Sequence, residues 1–323
     1  MGYVIGTDEA GYGPSLGPLV ISATVWHVPD DTLDVDLYKR LRKIVTARLP
    51  RAGGKSGGRV VMADSKVLYS TATGIGMLER SFLAALGWLD IRPAGWQEIW
   101  SHLCPEALEV FPAAPWYLGY DATLPLEAAW GEIDRGAQKL RAGGEAAGAR
   151  LVKIRSVAVF PDRWNDALDE HGNKATALSC LTLELLCRIL AELPDGRVSV
   201  ICDKHGGRNC YGSLLQRHVG DVLVEIYREE AELSLYRWGP AERRVEACFR
   251  PRAERFLPTA LASMTSKYLR ELAMRPFNQF WQQHVPDLRA TAGYTKDARR
   301  FKEAIGERQL ALGIADRILW RAR

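Results

Sequence analysis

MGYVIGTDEAGYGPSLGPLVISATVW, residues 1–26, decides how the rest of the chain is read. The apolar run Tyr3-Val4-Ile5 closes on two adjacent acids, Asp8 and Glu9; Gly11, Gly13 and Gly17 punctuate a loop, and a second apolar run follows from Leu19 to Trp26. Val, Ile, Tyr and Thr suit a pleated surface and a Gly/Pro/Ser cluster interrupts it, so the pattern predicts two antiparallel strands with acids at the end of the first. Acids at a strand end above a glycine loop can hold a divalent metal beside a phosphate. The same spacing also fits a surface acidic pair before a hairpin.

Downstream, Tyr38 to Arg59 is polar and basic, with helical spacing at Leu37, Leu41, Ile44 and Val45, and closes on Gly53-Gly54-Lys55-Ser56-Gly57-Gly58. That string lacks the full spacing of a phosphate loop and no strand precedes it, so it reads as a linker. Val60 to Ala63 is a short apolar run ending on Asp64-Ser65-Lys66, and a helix is expected over 76–86. Residues 93–148, rich in Trp, Pro, Ala and Gly, read as an insertion or small helical subdomain, with helices near 96–103 and 126–140 and a close at Ala142-Gly143-Gly144. A strand over 150–160, a helix over 173–193 and a strand over 198–202 ending at Asp203 imply a crossover and a partly parallel sheet. Then come a helix over 211–219, a strand over 222–227, a hairpin (233–238 with 244–250) turning at Gly239-Pro240, and a helix over 258–274. From 277 to 323, helical segments are expected to break at Pro286, Gly293 and Gly306. The organisation expected is a catalytic domain over 1–275, interrupted by the insertion, and a helical C-terminal region over 276–323.

The 323 residues suffice to bury a substantial core. A hydrophobic content of 47% and a charged content of 25% are those of a water-soluble globular protein, and no stretch has the apolar length of a membrane span. The net charge of +4 permits a polyanionic partner without requiring one. Six cysteines, at 104, 180, 187, 202, 210 and 248, form no C-x-x-C pair and no zinc spacing, which fits a reduced cytosolic (cytoplasmic) setting. No basic n-region precedes the first strand, so no signal peptide is expected.

Strand ends carry acids at Asp8 with Glu9 and at Asp203, and Glu254 follows the last strand. Neighbouring strands lie about 5 Å apart, so acids at the same ends of adjacent strands can converge. A carboxylate cluster without His or Cys favours Mg²⁺ or Mn²⁺, and two such ions suit in-line displacement at phosphorus.

Thr7-Asp8-Glu9-Ala10-Gly11-Tyr12-Gly13-Pro14-Ser15-Leu16-Gly17-Pro18 resembles the opening motif of the type 2 ribonucleases H (ribonucleases HII and HIII), D-E-A/S-G-x-G-x-x-x-G-P. Asp64-Ser65-Lys66 is similar to that family's D-S-K, Val200-Ile201-Cys202-Asp203 to the strand of its third acid, Ala262-Ser263-Met264-Thr265-Ser266-Lys267 to its helix motif, and Gly293-Tyr294-Thr295 to its late GYxT signature. The resemblance implies an α/β, ribonuclease H-like fold: a mixed five-stranded sheet flanked by helices, here with a helical insertion and a helical tail. It also implies metal-dependent endonucleolytic cleavage of RNA paired with DNA, leaving 3′-hydroxyl and 5′-phosphate ends. Carried over, Asp8, Glu9, Asp203 and Glu254 are the catalytic metal ligands, with Glu246 the alternative for the fourth.

Substrate contacts are expected from Gly11, Tyr12, Gly13, Ser65, Lys66, Lys204, Arg208, Lys267 and Tyr294. Tyr12 stands where the family has a cation; it either stacks on a sugar or base or packs against the neighbouring loop. Tyr294 would stack on a sugar of the DNA strand. Ser263 and Lys267, one turn apart, would face phosphate, and Lys204 and Arg208 would add cationic groups beside the metals. His205 is read as a loop residue, with proton shuttling as the alternative; Arg299, Arg300 and Lys302 as a solvated face, with backbone binding as the alternative. The partner expected is an RNA/DNA hybrid or related duplex, bound by a monomer. A nuclease for another structured nucleic acid, and a non-catalytic nucleic-acid-binding protein, remain the alternatives.

Overall fold

The antiparallel pair expected from the opening stretch forms as β1 (Gly2–Ala10) and β2 (Leu19–Val28), with Asp8 opposite Ser22. The computed structural model describes residues 2–29, 36–49, 58–70 and 72–322; of the glycine-lysine-serine string, residues 53–57 lie outside them. The remaining strands are β3 (Val45–Thr46), β4 (Val60–Val61), β5 (Arg150–Val159), β6 (Arg197–Asp203), β7 (Glu225–Glu229), β8 (Ser234–Trp238) and β9 (Val245–Arg250). The helices are α1 (Leu37–Arg40), α2 (Ser65–Leu68), α3 (Gly76–Trp88), α4 (Trp96–Leu103), α5 (Glu106–Val110), α6 (Trp130–Ala146), α7 (Pro161–His171), α8 (Lys174–Glu192), α9 (Gly212–Val219), α10 (Leu257–His284), α11 (Thr295–Ala311) and α12 (Asp316–Leu319).

The main sheet has the order β5-β2-β1-β6-β9-β8-β7. β1 pairs antiparallel with β2 and parallel with β6, β6 pairs parallel with β9, and β5, β8 and β7 join antiparallel. The first five strands in that order make a mixed sheet, as expected. The sheet is nonetheless seven-stranded, because the 234–238 and 245–250 hairpin joins it whole and β7 adds a further edge. That edge strand begins at Glu225, three residues later than the apolar pattern suggested.

Both faces of the sheet are covered, which is why β2 is buried at nearly every position instead of alternating. Val4, Val20 and Trp26 belong to one apolar cluster with α3, α4 and α10, whereas Ile5, Leu19 and Ile21 belong to the other with α8 and α9. The start of α10 lies directly against β1. A Cβ on Gly6 would fall 2.2 Å from the backbone of Pro258 and Thr259, so only glycine permits this approach.

Three expected boundaries differ. α10 runs through the expected domain edge at 275/276 with Pro276 inside it, because its buried face, from Leu257 to Trp281, stays continuous. Gly306 lies inside α11, whose apolar residues Ala298, Phe301 and Ile305 hold it to the core. Gly143 and Gly144 lie inside α6, where a Cβ would meet Ile44 and Trp88 at 2.4 and 2.1 Å; they are glycines of close packing and do not break the helix.

The insertion shares the main core. Trp96 Nε1 donates to the Leu272 carbonyl at 2.9 Å. The wholly buried Glu79 carboxylate of α3 accepts the amides of Leu126, Glu127 and Ala128 at 2.5, 2.7 and 2.8 Å and the Tyr268 hydroxyl at 2.6 Å. That carboxylate therefore joins the insertion to α3 and α10. All six cysteines are free thiols, and among the described residues no helix is long and apolar enough to cross a membrane.

Candidate active site

Parallel pairing sets Thr7 beside Cys202, so the next residues, Asp8 and Asp203, leave adjacent strands at the same end and on the same face. Glu9 follows on the other face, at the strand tip. Glu254 arrives from a single 3₁₀ turn, Ala253–Arg255, between β9 and α10; Arg252, left-handed at φ 57°, makes the bend. These four acids line one open cleft with Gly11, Tyr12, Gly13, Asp64, Ser65, Lys66, Lys267 and Tyr294.

Each acid is held by its neighbours. Ser263 of α10 bonds to the Asp8 carboxylate and lies 3.1 Å from Ser65 Oγ, so one hydroxyl links two motifs far apart in sequence. Beneath it, Ser266 Oγ donates to the Asp8 carbonyl at 3.0 Å and meets Ser22 Oγ at 2.8 Å. Asp203 accepts the amides of Lys204, at 2.9 Å, and of Ala253 and Arg252. One Glu254 oxygen is buried without a hydrogen-bond partner.

The acids repel one another. Burial first, then the charge of Glu9, pushes Asp8 well above the usual carboxylate range. Burial and Asp203 raise Glu9 to about 7. Asp203 is raised chiefly by burial against the pull of its amides, and Glu254 is raised by burial and by Asp203 and Asp64. Lys66, exposed at the rim, is raised by Asp64 first and then by the other acids. Among the described residues no three Asp, Glu, His or Cys side chains are drawn together as a metal cage. An oxygen-only donor set, a buried carboxylate oxygen without a partner and mutually raised acids nonetheless fit a hard divalent cation.

The cleft thus gathers Asp8, Glu9, Asp203, Glu254, Gly11, Tyr12, Gly13, Ser65, Lys66, Lys267 and Tyr294. It leaves out Lys204 and Arg208. Lys204 turns to Asn209 Oδ1 at 2.6 Å and to Ser234, and Arg208 binds Thr176 and the Cys210 carbonyl, because the loop after Asp203 folds onto α8 and β8 and away from the acids. Glu246 is also elsewhere, paired with Arg237 at 2.5 Å across β8 and β9. His205 is buried, 3.0 Å from Ser179 Oγ, and burial lowers its pKa to about 3, so its ring is uncharged at neutral pH. Lys267 is held by Glu271 at 2.5 Å and lies over the Tyr69 ring. Tyr12 meets Trp164 edge-on at 6.3 Å, and Tyr294 is 56% exposed, leaving its ring open to the cleft. Arg300 is tied to Asp297, and Lys302 lies over Trp320.

Asp64 and Arg270 are among the cleft groups that escaped the sequence reading. Asp64 caps α2 through the Lys66 amide at 3.1 Å and adds a fifth carboxylate; its position inside the Asp-Ser-Lys motif was the available signal. Arg270, one turn beyond Ser266, lines the cleft from behind the glycine loop, and no local pattern marks it.

The chain is similar in structure to type 2 ribonucleases H. Against ribonuclease HII of Archaeoglobus fulgidus, solved in complex with PCNA, the identity is 14% over 99% of this chain and 94% of the other, with a TM-score of 0.42. Against ribonuclease H2 of Pyrococcus horikoshii the values are 16%, 98%, 92% and 0.43, and against Bst-RNase HIII solved with Mn²⁺ they are 17%, 99%, 66% and 0.38. No family model matches the sequence, and neither does any curated protein.

Proposed function

We propose that the chain is a metal-dependent endonuclease that hydrolyses the RNA strand of RNA/DNA hybrids. The observation that carries this reading is the convergence of Asp8, Glu9, Asp203 and Glu254 in one cleft beside a glycine loop and an exposed tyrosine. Those four acids would hold one or two Mg²⁺ or Mn²⁺ ions. Such ions, when bound, polarise a phosphoryl oxygen and make water acidic enough to attack at neutral pH.

The chain's own groups supply the rest. Ser263 orients the Asp8 carboxylate, and the three amides around Asp203 fix its rotamer. The amides of Gly11, Tyr12 and Gly13 can approach a nucleic-acid backbone because no bulky side chain flanks them on the glycines. Lys66 at the rim offers a cation to a phosphate, and the Tyr294 ring a face for a sugar. Water then displaces the 3′-oxygen in line, leaving 3′-hydroxyl and 5′-phosphate ends with no covalent link to the protein.

Tyr12 supports a second reading, a related nuclease for another duplex, since no cationic side chain stands in the loop itself. Cleavage of an RNA/DNA hybrid, a DNA duplex with one ribonucleotide, duplex RNA and branched DNA, each with Mg²⁺ or Mn²⁺, separates the two. The hybrid is expected to be cut. Cleavage of a non-hybrid substrate alone overturns the substrate assignment, and absence of metal-dependent cleavage of all four overturns the enzyme.

A further inference from the structure

Two arginines are buried behind the glycine loop, Arg270 from α10 and Arg321 from the segment after α12, exposed by only 3% and 4%. Arg321 donates through Nη2 to the carbonyls of Gly11 and Pro14, and its own amide donates to the Ser15 carbonyl at 2.9 Å. Leu16 and Trp320 form an antiparallel bridge. Arg270 donates to the carbonyls of Pro18, of Leu16 at 3.1 Å and of Ala292 at 2.9 Å. The two guanidinium groups thereby draw five carbonyls to the back, four of them from the loop.

What these cations lack is an acid. Among the described residues neither forms an ion pair; Arg321 Nε and Nη1 are buried without a hydrogen-bond partner, and the guanidinium carbon lies 5.6 Å from the centroid of the Trp164 ring. Glu271, the carboxylate whose charge Arg270 feels, is already engaged by Lys267 at 2.5 Å and by the Tyr69 hydroxyl at 2.9 Å. Each guanidinium is lowered from its ordinary pKa by burial, and Arg321 also by Arg270. A buried cation with no carboxylate beside it is unfavourable, because it has lost its hydration without gaining a counter-charge. On the loop's other side, the amides of Gly11, Tyr12 and Gly13 have no hydrogen-bond partner among the described residues. The loop's carbonyls face the arginines, the loop itself lines the cleft, and among the described residues no carboxylate balances the two cations.

We propose that Arg321, together with Arg270, is a positioning residue for the glycine loop: it pins the loop carbonyls backward so that the loop amides meet a substrate phosphate, and its charge is balanced by that phosphate. This rests on the nucleic-acid reading above and adds the source of the loop's positive charge, which comes from the far end of the chain in place of a side chain at Tyr12. The segment is held for this purpose by Asn165, whose Nδ2 donates to the Trp320 carbonyl at 2.9 Å and whose Oδ1 accepts the Ala322 amide at 2.7 Å.

The test is steady-state cleavage of an RNA/DNA hybrid by wild type, Arg321→Met and Arg321→Lys over a series of salt concentrations. Arg321→Met is expected to raise KM about tenfold with kcat kept within about threefold, and to make the slope of log KM against log salt shallower by about 0.9, one phosphate contact. Arg321→Lys is expected to restore the slope. An Arg321→Met variant with the wild-type KM, or with a raised KM and an unchanged slope, overturns the proposal. If Arg321→Met does not fold, Asn165→Ala reads the same coupling. Its KM should rise about threefold with kcat kept, and an unchanged KM overturns the proposal. Hybrid affinity by fluorescence anisotropy separates the two levels of inference: a wild type that neither cuts nor binds any duplex sinks the function itself.

Discussion

Asp8 combines two opposing demands. Its carboxylate is buried beside Glu9 and Asp203, which disfavours its charge, and that same charge is what a divalent cation would need. Asp8→Asn therefore has a double signature. Hydrolysis should fall by more than about a hundredfold, beyond the range of changes to outer-shell partners, while thermal stability without metal rises, because like-charge repulsion is relieved. A variant that loses activity and stability together would contradict this account of the site. Glu254 and Glu246 make a sharper pair. Glu254→Gln should abolish cleavage; Glu246→Gln, which only breaks a cross-strand pair with Arg237, should leave kcat/KM within about twofold and lower stability by about 1 kcal/mol or less. The reverse result would move the fourth acid. Asp8, Glu9 and Asp203 were legible in the sequence because each follows an apolar strand run, and parallel pairing brings the ends of those runs side by side. Lys204 and Arg208 lie outside the cleft because the direction of a loop side chain depends on turn geometry, which composition does not encode.

At the scale of elements, the junction of α10 with β1 governs the site. Ser263 reaches Asp8 only because Gly6 lets the helix start lie on the strand. Gly6→Ala must push α10 away, so it should cost about 3 kcal/mol, the upper end for overpacking, lower the melting temperature by several degrees and reduce kcat. Calorimetry and turnover check the two together; a fully active Gly6→Ala variant would show that the helix does not position Asp8. α10 itself was visible as a helical apolar pattern, but its length was not. A proline usually ends a helix, and here Pro276 is carried because the apolar stripe on either side of it stays buried. The insertion was visible as a change in composition. Its attachment was not, since Glu79 has no sequence signal beyond being one acid on a helix, and its partners lie 47 to 189 residues away.

For the whole molecule, the cleft should make stability depend on pH and, under the proposed function, on metal. Glu9 ordinarily titrates at 4.5 and is raised to about 7 in the folded protein, so between those values the folded state holds more protons than the unfolded one. Stability of the metal-free protein should consequently fall as pH rises through that window. Mg²⁺ or Mn²⁺, which would bind the ionised acids, should raise the melting temperature more at about pH 8 than at about pH 5. Differential scanning fluorimetry with and without chelator reads this directly, and a metal-induced shift independent of pH would contradict it. The central position of β1 has a further consequence, one of timing. β1, β2 and β5 can close as an antiparallel meander from the first 159 residues, whereas β6 and α10 complete the sheet and its cover from residues 197 to 284. During synthesis the acids therefore stay apart until most of the chain has emerged, and a nascent chain carries three strands of the sheet with one edge of β1 still waiting for β6.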